Sequence, residues 1–394
     1  MALGCGVSAP DDGDDDGSAV TDVSPAAALP HFQAFFAVPK ADGTGDSALE
    51  DKVISLMNDA VAGSKIRIGM YQWSHTAPAE ALVAASKRGV DVHVVIDEEA
   101  NETTPSAAVE DIDDLDDDTT ASPAAKLAFD SAIDVLRAGL PSGSITYCTR
   151  DNGSCQGNGI NHNKIYMFSK LSDGSEDVVV QSSANLTTFH LHNNLVISRG
   201  DKALYDGYVT YFDALEAKKE NLDYYRHFDG DHTIAYMFPR AEGDTITSIL
   251  DNVHCTKSSI VRITMAFWDD YRIGIVGGLK DLVKAGCDVR VNMRKAGTNV
   301  SATVISELKA AGVKVGEYPS EHGTNIHSKY LLIDSDYDTS NGRAHRQLVW
   351  TGSHNYTKGA LRDNDEVLLR VDNATIFADF LANWNTIHDQ IGAK

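Results

Sequence analysis

Two copies of a His-x-Lys pattern, His162-Asn163-Lys164 and His327-Ser328-Lys329, are the residues of this sequence best suited to chemistry. Each copy opens an apolar run typical of a β-strand, in which residues i and i+2 point to the same face. We therefore expect the imidazole and the ammonium of each copy to converge on one object. A single copy would be a weak signal, but two copies at matching places predict a shared site.

The next predicted strand in each half carries small hydrogen-bonding side chains, Ser183 and Asn185 in the first and Ser353 and Asn355 in the second. Two such sets facing each other would surround one phosphate with imidazoles, ammoniums and amides. The lysines and asparagines would stabilise the charge on the phosphoryl oxygens in the transition state. One neutral His would attack phosphorus and the other, protonated, would donate to the leaving oxygen. The predicted reaction is phosphodiester cleavage through a phosphohistidine, with no metal and no cofactor.

An internal repeat must position these residues. Strand-like segments at 65–73 and 259–268 each follow a helix-like stretch, at 48–62 and 243–255. In both halves a second helix then stops at a glycine before a β-branched strand, and a short helix follows, near 124–139 and at 300–311. With two closing strands, each half reads β-α-β-α-β-β-α, which predicts an α/β sandwich built twice.

The repeat sets the predicted domain organisation. Residues 1–29 are expected to be a flexible acidic tether, 30–230 the first repeat and 231–394 the second. We refer to the parts of the chain before and after residue 230 as the first and second halves. The segment 98–123 is interpreted as an acidic insertion and 335–346 as a polar one.

The composition is acidic, with a formal net charge of -23. Residues 11–22 carry six aspartates and residues 110–118 carry seven acidic residues. We interpret these runs as solvated loops, with calcium binding as the alternative. Because phosphate contacts on nucleic acids depend on Lys and Arg, no stable nucleic-acid partner is expected. A phospholipid at a membrane or micelle surface is the expected substrate, and the protein is expected to be a monomer.

The five cysteines indicate an oxidising compartment. Cys148 and Cys155 bracket a polar loop whose length suits a local disulfide. Cys255 and Cys287 each precede a strand-like run and could meet if those strands are neighbours. Cys5 is then left over, and the segment 3–6 resembles the end of a bacterial lipoprotein signal. We expect a secreted, periplasmic or cell-surface protein, anchored through Cys5 in one interpretation and with an incidental Cys5 in the other.

The paired patterns resemble those of the phospholipase D superfamily, in which His-x-Lys-x4-Asp precedes a Gly-Ser and Asn segment and occurs twice. The resemblance covers roughly residues 31–390. The second copy is complete, whereas in the first Ser169 replaces the Asp and Ser182 replaces the Gly. The resemblance implies a duplicated α-β-α sandwich of phospholipase D type, with two similar repeats packed about a pseudo-two-fold axis. It also implies a mostly structural role for Asp334.

In that superfamily each catalytic His contacts an acidic or amide residue further along the chain. The resemblance suggests Glu366 as the partner of His327 and Asn194 as the partner of His162. Because a carboxylate favours the protonated His, we predict His162 as the nucleophile and His327 as the general acid.

Several other residues are candidates for substrate contact. Ser183 and Ser353 are predicted to donate hydrogen bonds to the substrate. Trp73 and Trp268 are interpreted as core or pocket wall, with contact to an acyl chain or headgroup as the alternative. The histidines near the motifs are interpreted as loop or pocket-rim residues: His190, His192, His322 and His354.

Three functions compete at this stage. The first is a phospholipase D that hydrolyses glycerophospholipids to phosphatidic acid and a headgroup alcohol, or exchanges the headgroup with another alcohol. The second is a nuclease or other nucleic-acid phosphodiesterase of the same superfamily, against which the acidic charge and the expected disulfides argue. The third is an inactive module that binds anionic lipid.

Overall fold

A computed structural model describes residues 31–40, 42–98, 132–150, 152–297, 299–319, 323–340 and 342–392. The predicted tether 1–29, Cys5, His322, residues 99–123 of the acidic insertion and the start of the helix near 124–139 lie outside these ranges. The described part of that helix covers residues 132–139.

Two mixed β-sheets form the frame. The first sheet contains β1 Phe32–Ala37, β2 Lys65–Met70, β3 Asp91–Asp97, β4 Ile145–Cys148, β5 Lys164–Lys170, β6 Glu176–Ser182, β7 Leu191–Ser198 and β14 Asn325–Ile326. The second contains β8 Arg226–Asp229, β9 Thr233–Met237, β10 Val253–His254, β11 Ile260–Met265, β12 Asp288–Arg294, β13 Lys314–Tyr318, β15 Lys329–Thr339, β16 Gly342–Gly352 and β17 Val367–Asp372.

Helices cover the sheets. They are α1 Ala48–Asp59, α2 Thr76–Lys87, α3 at 132–139, α4 Lys202–Glu216, α5 Thr245–Leu250, α6 Gly274–Ala285, α7 Ala302–Ala310, α8 Lys358–Arg362 and α9 Ala374–Gly392. In the part of the chain that is described, no helix is long and apolar enough to cross a membrane.

The strand orders confirm the duplicated α/β fold. The first sheet runs β1-β7-β6-β5-β2-β3-β4, and the second contains the matching order β9-β17-β16-β15-β11-β12-β13. In the first sheet β2 pairs in parallel with β3 and antiparallel with β5. In the second sheet β11 pairs in parallel with β12 and antiparallel with β15. The predicted elements occur in both halves, but each half also has strands that were not predicted: one before the two closing strands, β4 or β13, and one after them, β7 or β17.

The packing of the core explains why the strand sequences are continuous apolar runs. In β5, Ile165 and Met167 pack in a cluster that joins both sheets with α4 and α9, whereas Tyr166 and Phe168 pack in the outer cluster with α1 and α2. Both faces of the strand are buried, so the hydrophobic pattern does not alternate. The second sheet repeats this arrangement, with α5, α6 and α7 on its outer face.

Two predicted segments differ in the structure. The helix predicted at 243–255 ends at Leu250, because the chain then forms β10, which pairs with β15 through His254 and Asp336. The predicted polar insertion 335–346 extends the hairpin of β15 and β16, whose register continues to Thr339 and Gly342. Tyr337 is buried in the outer core, which holds this part of the hairpin in place.

Both disulfides proposed from the sequence are present. Cys148 bonds to Cys155, and Cys255 bonds to Cys287. The condition set for the second pair is met, because β11 and β12, the strands that follow these cysteines, are hydrogen-bonded neighbours. Two disulfides indicate an extracellular or periplasmic environment.

Candidate active site

Each motif histidine is held by the opposite half of the chain. The backbone N–H of His162 donates to the carbonyl of Asp365 over 3.0 Å, and the N–H of His327 donates to the carbonyl of His192 over 2.9 Å. The flanking residues form the same crossed pairing, because β14 joins β7 and Asn161 forms a bridge with Asp365. Both histidines therefore lie in extended segments just before β5 and β15, not within those strands as predicted.

The crossed pairing corrects the predicted histidine partners. His162 Nδ1 lies 2.7 Å from Glu366 Oε1, and His327 Nδ1 lies 2.8 Å from Asn193 Oδ1. In each case the residue whose carbonyl binds the histidine backbone is followed by the residue whose side chain binds the ring. Glu366 thus contacts His162 and not His327. Asn194 contacts neither histidine and donates to Thr351 Oγ1 over 2.6 Å.

The motif serines bind these partners instead of facing an open space. Ser183 Oγ donates to Asn193 Oδ1 over 2.9 Å, and Ser353 Oγ donates to Glu366 Oε2. Both serines are fully buried. These contacts fix the side chains that bind the two imidazoles, and substrate binding by the two serines stays a prediction.

The motif lysines are buried next to the histidines and against aromatic rings. Lys164 Nζ donates to the carbonyl of His162 over 2.9 Å, and Lys329 Nζ donates to His327 Nε2 over 2.8 Å. The ammonium of Lys164 is 5.1 Å from the ring of Tyr71, and that of Lys329 is 5.9 Å from the ring of Phe267. Buried cations in a medium of low dielectric constant attract an anion strongly, so the arrangement suits a phosphate.

The second motif presents buried polar atoms without protein partners. Within the described ranges, neither Nδ2 nor Oδ1 of Asn355 has a hydrogen-bond partner, and neither do the ring nitrogens of His354. Both residues are fully buried. Burial, Arg272 and His162 lower the pKa of His354 well below its usual value, so this imidazole is neutral. Unsatisfied buried groups are rare in native proteins and often mark a place for a ligand or water.

The counterpart of Asn355 in the first half, Asn185, is only partly buried. Its Nδ2 lies 3.4 Å from Gln72 Oε1. The two asparagines thus differ in their access to solvent, although they occupy the same place in the two motifs.

Asp365 is a site residue that the sequence analysis missed. Its buried carboxylate accepts from the backbone N–H groups of Cys155, Gln156 and Gly157 over 2.5, 3.2 and 3.1 Å. Burial and the neighbouring Glu366 raise its pKa to about 7, although these three N–H groups lower it. The loop closed by Cys148–Cys155 is thereby fixed to the segment that supplies Glu366 to His162. The sequence signal was the polar run 364–366 directly before a buried strand.

The remaining predicted site residues lie in supporting positions. Trp73 and Trp268 are fully buried in the two outer cores, and each indole N–H donates to a backbone carbonyl. Neither presents surface to a ligand, so the contacts agree with the core interpretation. Asp334 accepts from Gln347 Nε2 over 2.9 Å, and Ser169, at the matching place, accepts from the backbone N–H of Lys65.

Comparisons with known proteins agree with this architecture. The family model described as "Cardiolipin synthase, PLD-like domain" matches residues 53–215 and 249–387, one segment in each half. The chain therefore belongs to the phospholipase D superfamily, whose enzymes act on phosphodiesters. No curated protein matches the sequence.

Solved structures show the same fold. A phosphatidylserine synthase from Haemophilus influenzae Rd KW20 has a TM-score of 0.58 and 11% identity, with 91% of this chain and 86% of that chain covered. A polyphosphate kinase from Porphyromonas gingivalis has a TM-score of 0.55 and 14% identity, with 90% of this chain covered. The present chain spans 50% of the length of that kinase.

Proposed function

We propose that the protein is a phospholipase D that cleaves the bond between phosphorus and the headgroup oxygen of glycerophospholipids through a covalent phosphohistidine. The observation that carries this proposal is the reciprocal pairing, in one chain, of His162 with Glu366 and of His327 with Asn193. Each pair fixes its ring through Nδ1, so Nε2 is the nitrogen of each ring that would act at the phosphate.

The observed partners support His162 as the nucleophile for a different reason from the one given by the sequence. When Nε2 of His162 attacks phosphorus, the ring becomes a positively charged phosphoimidazolium. The Glu366 carboxylate stabilises this developing charge, so the contact is stronger in the transition state than in the ground state. The sequence-based assignment placed Glu366 beside His327, whereas Glu366 contacts His162 in the structure.

His327 is then the general acid. An acid loses its positive charge as it donates, and the neutral amide of Asn193 opposes that loss less than a carboxylate would. Lys329 Nζ lies 2.8 Å from Nε2 of His327, within hydrogen-bond distance. A bound phosphate would attract the ammonium toward its own oxygens and leave Nε2 able to take up a proton.

The steps balance as follows. A bond forms between His162 Nε2 and phosphorus while the bond between phosphorus and the headgroup oxygen breaks, and His327 gives its proton to the departing oxygen. Water then attacks phosphorus and gives a proton back to His327, while the bond between phosphorus and nitrogen breaks. The products are the headgroup alcohol and phosphatidic acid. Lys164, Asn185, Lys329 and Asn355 would bind the phosphoryl oxygens throughout.

Transfer to an alcohol is the second candidate. The matching family model is described as that of cardiolipin synthase, and one structure of similar fold is a phosphatidylserine synthase. An alcohol that replaces water in the second step would give a new phosphodiester from the same intermediate. The net charge of -23 favours a lipid over a long nucleic acid, whose phosphates would be repelled. We further propose that the protein acts as a monomer outside the cytoplasm, attached to a membrane through Cys5.

The test is cleavage of phosphatidylcholine vesicles and of single-stranded DNA, each with a chelator present. We expect choline release that survives the chelator and no cutting of DNA. His162→Ala and His327→Ala should each lower the rate by at least about a thousandfold. His227→Ala, at an exposed histidine of β8, serves as the matched control. DNA cutting without choline release would favour the nuclease, and lipid binding without turnover would favour the binding module.

A further inference from the structure

Asp97 and Arg294 occupy the same place in the two halves but carry opposite charges. Asp97 is the last residue of β3, and Arg294 is the last residue of β12. The two places match, because the preceding residues, Ile96 and Met293, pair with the last residues of β2 and β11. Both side chains are buried, since the two residues are only 0% and 3% exposed. A buried charge is costly unless it is paired, so a change of its sign at one place indicates a specific role.

Each of these residues binds the backbone of the residue that precedes a motif histidine. Asp97 Oδ2 accepts from the backbone N–H of Asn161 over 3.0 Å. Arg294 Nε donates to the backbone carbonyl of Ile326 over 2.5 Å. The next residue in each case is a motif histidine. Both contacts therefore fix the chain one residue away from an imidazole that would act at the phosphate.

Both charges are enclosed close to the proposed reaction centre. The guanidinium of Arg294 is 4.6 Å from the centre of the Phe267 ring, and the same ring is 5.9 Å from Lys329 Nζ. In the first half, Gly153 packs so closely against Asp97 that an added Cβ would lie 2.2 Å from Oδ1. Because water screens buried charges poorly, these two act on the site more strongly than exposed charges would.

The same contrast is found at the two other places that hold the motif histidines. Asp365 and Glu366 bind the backbone and the ring of the first histidine, whereas His192 and Asn193 bind those of the second. Burial lowers the pKa of His192 to about 4, so its ring is neutral. The first histidine is therefore held by carboxyl residues at three places. At the matching places the second is held by a cation, a neutral imidazole and an amide.

The fold alone does not require this contrast, because another arginine is used identically in both halves. Arg67 of β2 and Arg262 of β11 each donate to the carbonyl of the preceding residue. Each also donates to the carbonyl and the carboxylate of the aspartate that opens the neighbouring strand, Asp91 or Asp288. The halves thus share a residue that supports the sheet and differ at the places that hold the motif histidines.

We propose that Asp97 and Arg294 are positioning residues of the reaction, which give the two sides of the site opposite charge. In the proposed mechanism the ring of His162 becomes positively charged when it bonds to phosphorus, and the carboxylate of Asp97 stabilises that charge. The ring of His327 loses a positive charge when it gives its proton to the leaving oxygen, and the guanidinium of Arg294 favours that loss. The inference rests on the proposed function and adds to it two residues outside the motifs.

The experiment measures the first turnover of two diesters by the full-length protein. Phosphatidylcholine has a leaving alcohol that needs a proton, whereas bis(p-nitrophenyl) phosphate releases p-nitrophenol, which departs without one. The variants are Arg294→Met, Arg294→Lys and Asp97→Asn. Arg262→Met is the matched control, because it removes another buried arginine that donates to backbone carbonyls and lies 5.2 Å from the centre of an aromatic ring.

We expect Arg294→Met to slow the release of choline about tenfold and that of p-nitrophenol less than about twofold, because it acts on proton transfer. Arg294→Lys keeps the charge and should recover most of the choline release. Asp97→Asn keeps the shape of the side chain and should slow the first turnover of both diesters about tenfold, because it acts on attack. Arg262→Met should lower the melting temperature and leave both rates unchanged.

Equal effects of Arg294→Met on the two diesters, or no recovery in Arg294→Lys, would show a merely structural role and overturn the inference. An unchanged first turnover in Asp97→Asn would also overturn it, and this variant decides the matter if Arg294→Met does not fold. If the wild type cleaves both diesters and the variants behave like Arg262→Met, only the inference fails. If the wild type cleaves neither diester, the proposed function fails as well.

Discussion

Replacing Glu366 with Gln tests the orientation of the catalytic pair with the smallest change of shape. The carboxylate lies 2.7 Å from His162 Nδ1, and both side chains are fully buried. Ser353 Oγ donates to the second carboxylate oxygen. A glutamine can keep the contact to Nδ1 through its oxygen, so the imidazole should keep its position. The variant removes the negative charge and little else.

The size of the effect follows from the charge of the intermediate. A hydrogen bond to a charged group contributes about 1.5–3 kcal/mol of stabilisation. Each 1.36 kcal/mol of transition-state stabilisation corresponds to about a tenfold change in rate. Because the proposed contact strengthens as His162 becomes positively charged, we expect the rate of phosphoenzyme formation to fall about 10- to 150-fold.

Two leaving groups distinguish the nucleophile from the acid. With p-nitrophenol, which departs without a proton, the Glu366→Gln effect should remain because it acts on attack. Asn193→Ala, which acts through His327, should slow cleavage of a phospholipid and have a much smaller effect with p-nitrophenol. Rapid-mixing measurements of the p-nitrophenol burst report the first step directly. If the sensitivities of the two variants are exchanged, the reasoning about His162 is wrong.

Three further predictions concern the supporting structure. The double variant Cys148→Ser, Cys155→Ser should lower the free energy of unfolding by about 2 kcal/mol and also lower kcat. Removal of the Cys255–Cys287 disulfide should lower stability alone. Thermal melts and steady-state rates check this prediction, and equal losses of kcat in the two cases would contradict it. Trp268→Ala should lower the free energy of unfolding by about 3–5 kcal/mol in urea titrations and leave the KM of the folded protein unchanged. A raised KM with unchanged stability would indicate that Trp268 contacts the substrate instead. Burial lowers the pKa of His192 to about 4, below its value in the unfolded chain. The contribution of neutral His192 to the free energy of unfolding is therefore fully present above about pH 6.5 and is lost as the pH falls toward 4. In urea titrations the wild type should lose about 2 kcal/mol more than His192→Gln between pH 7.5 and pH 5, and an equal loss would refute the assignment.

The sequence was sufficient for the repeat, because the apolar runs and glycine stops occur at matching places in both halves. It was also sufficient for both disulfides, whose cysteines lie beside strands that the repeat makes neighbours. The extension of the hairpin through 335–346 was not predicted, because its polar residues resemble a loop until the burial of Tyr337 is known. The start of β5 and β15 at the lysine was missed for a similar reason, since the contacts that draw each histidine away are made with the other half.

The histidine partners show most clearly why spacing alone was insufficient. In the second half Glu366 follows Asn355 by 11 residues, and α8 occupies part of that connection. The first half has no counterpart of α8 in its described residues between Asn185 and β7, so the same position falls on Asn193, 8 residues after Asn185. The choice between Asn193 and Asn194 depends on which face of β7 each occupies. The assignment of each partner to the opposite histidine depends on how the two sheets meet, which no local pattern encodes.

The most direct test of the account is identification of the phosphorylated residue. The full-length protein is mixed with a phospholipid whose phosphorus is isotopically labelled and quenched at a pH that preserves phosphohistidine. The peptides are then sequenced by mass spectrometry. The account predicts label on His162 in the wild type and none in His162→Ala. Label on His327, or rapid turnover with label on neither histidine, would contradict it.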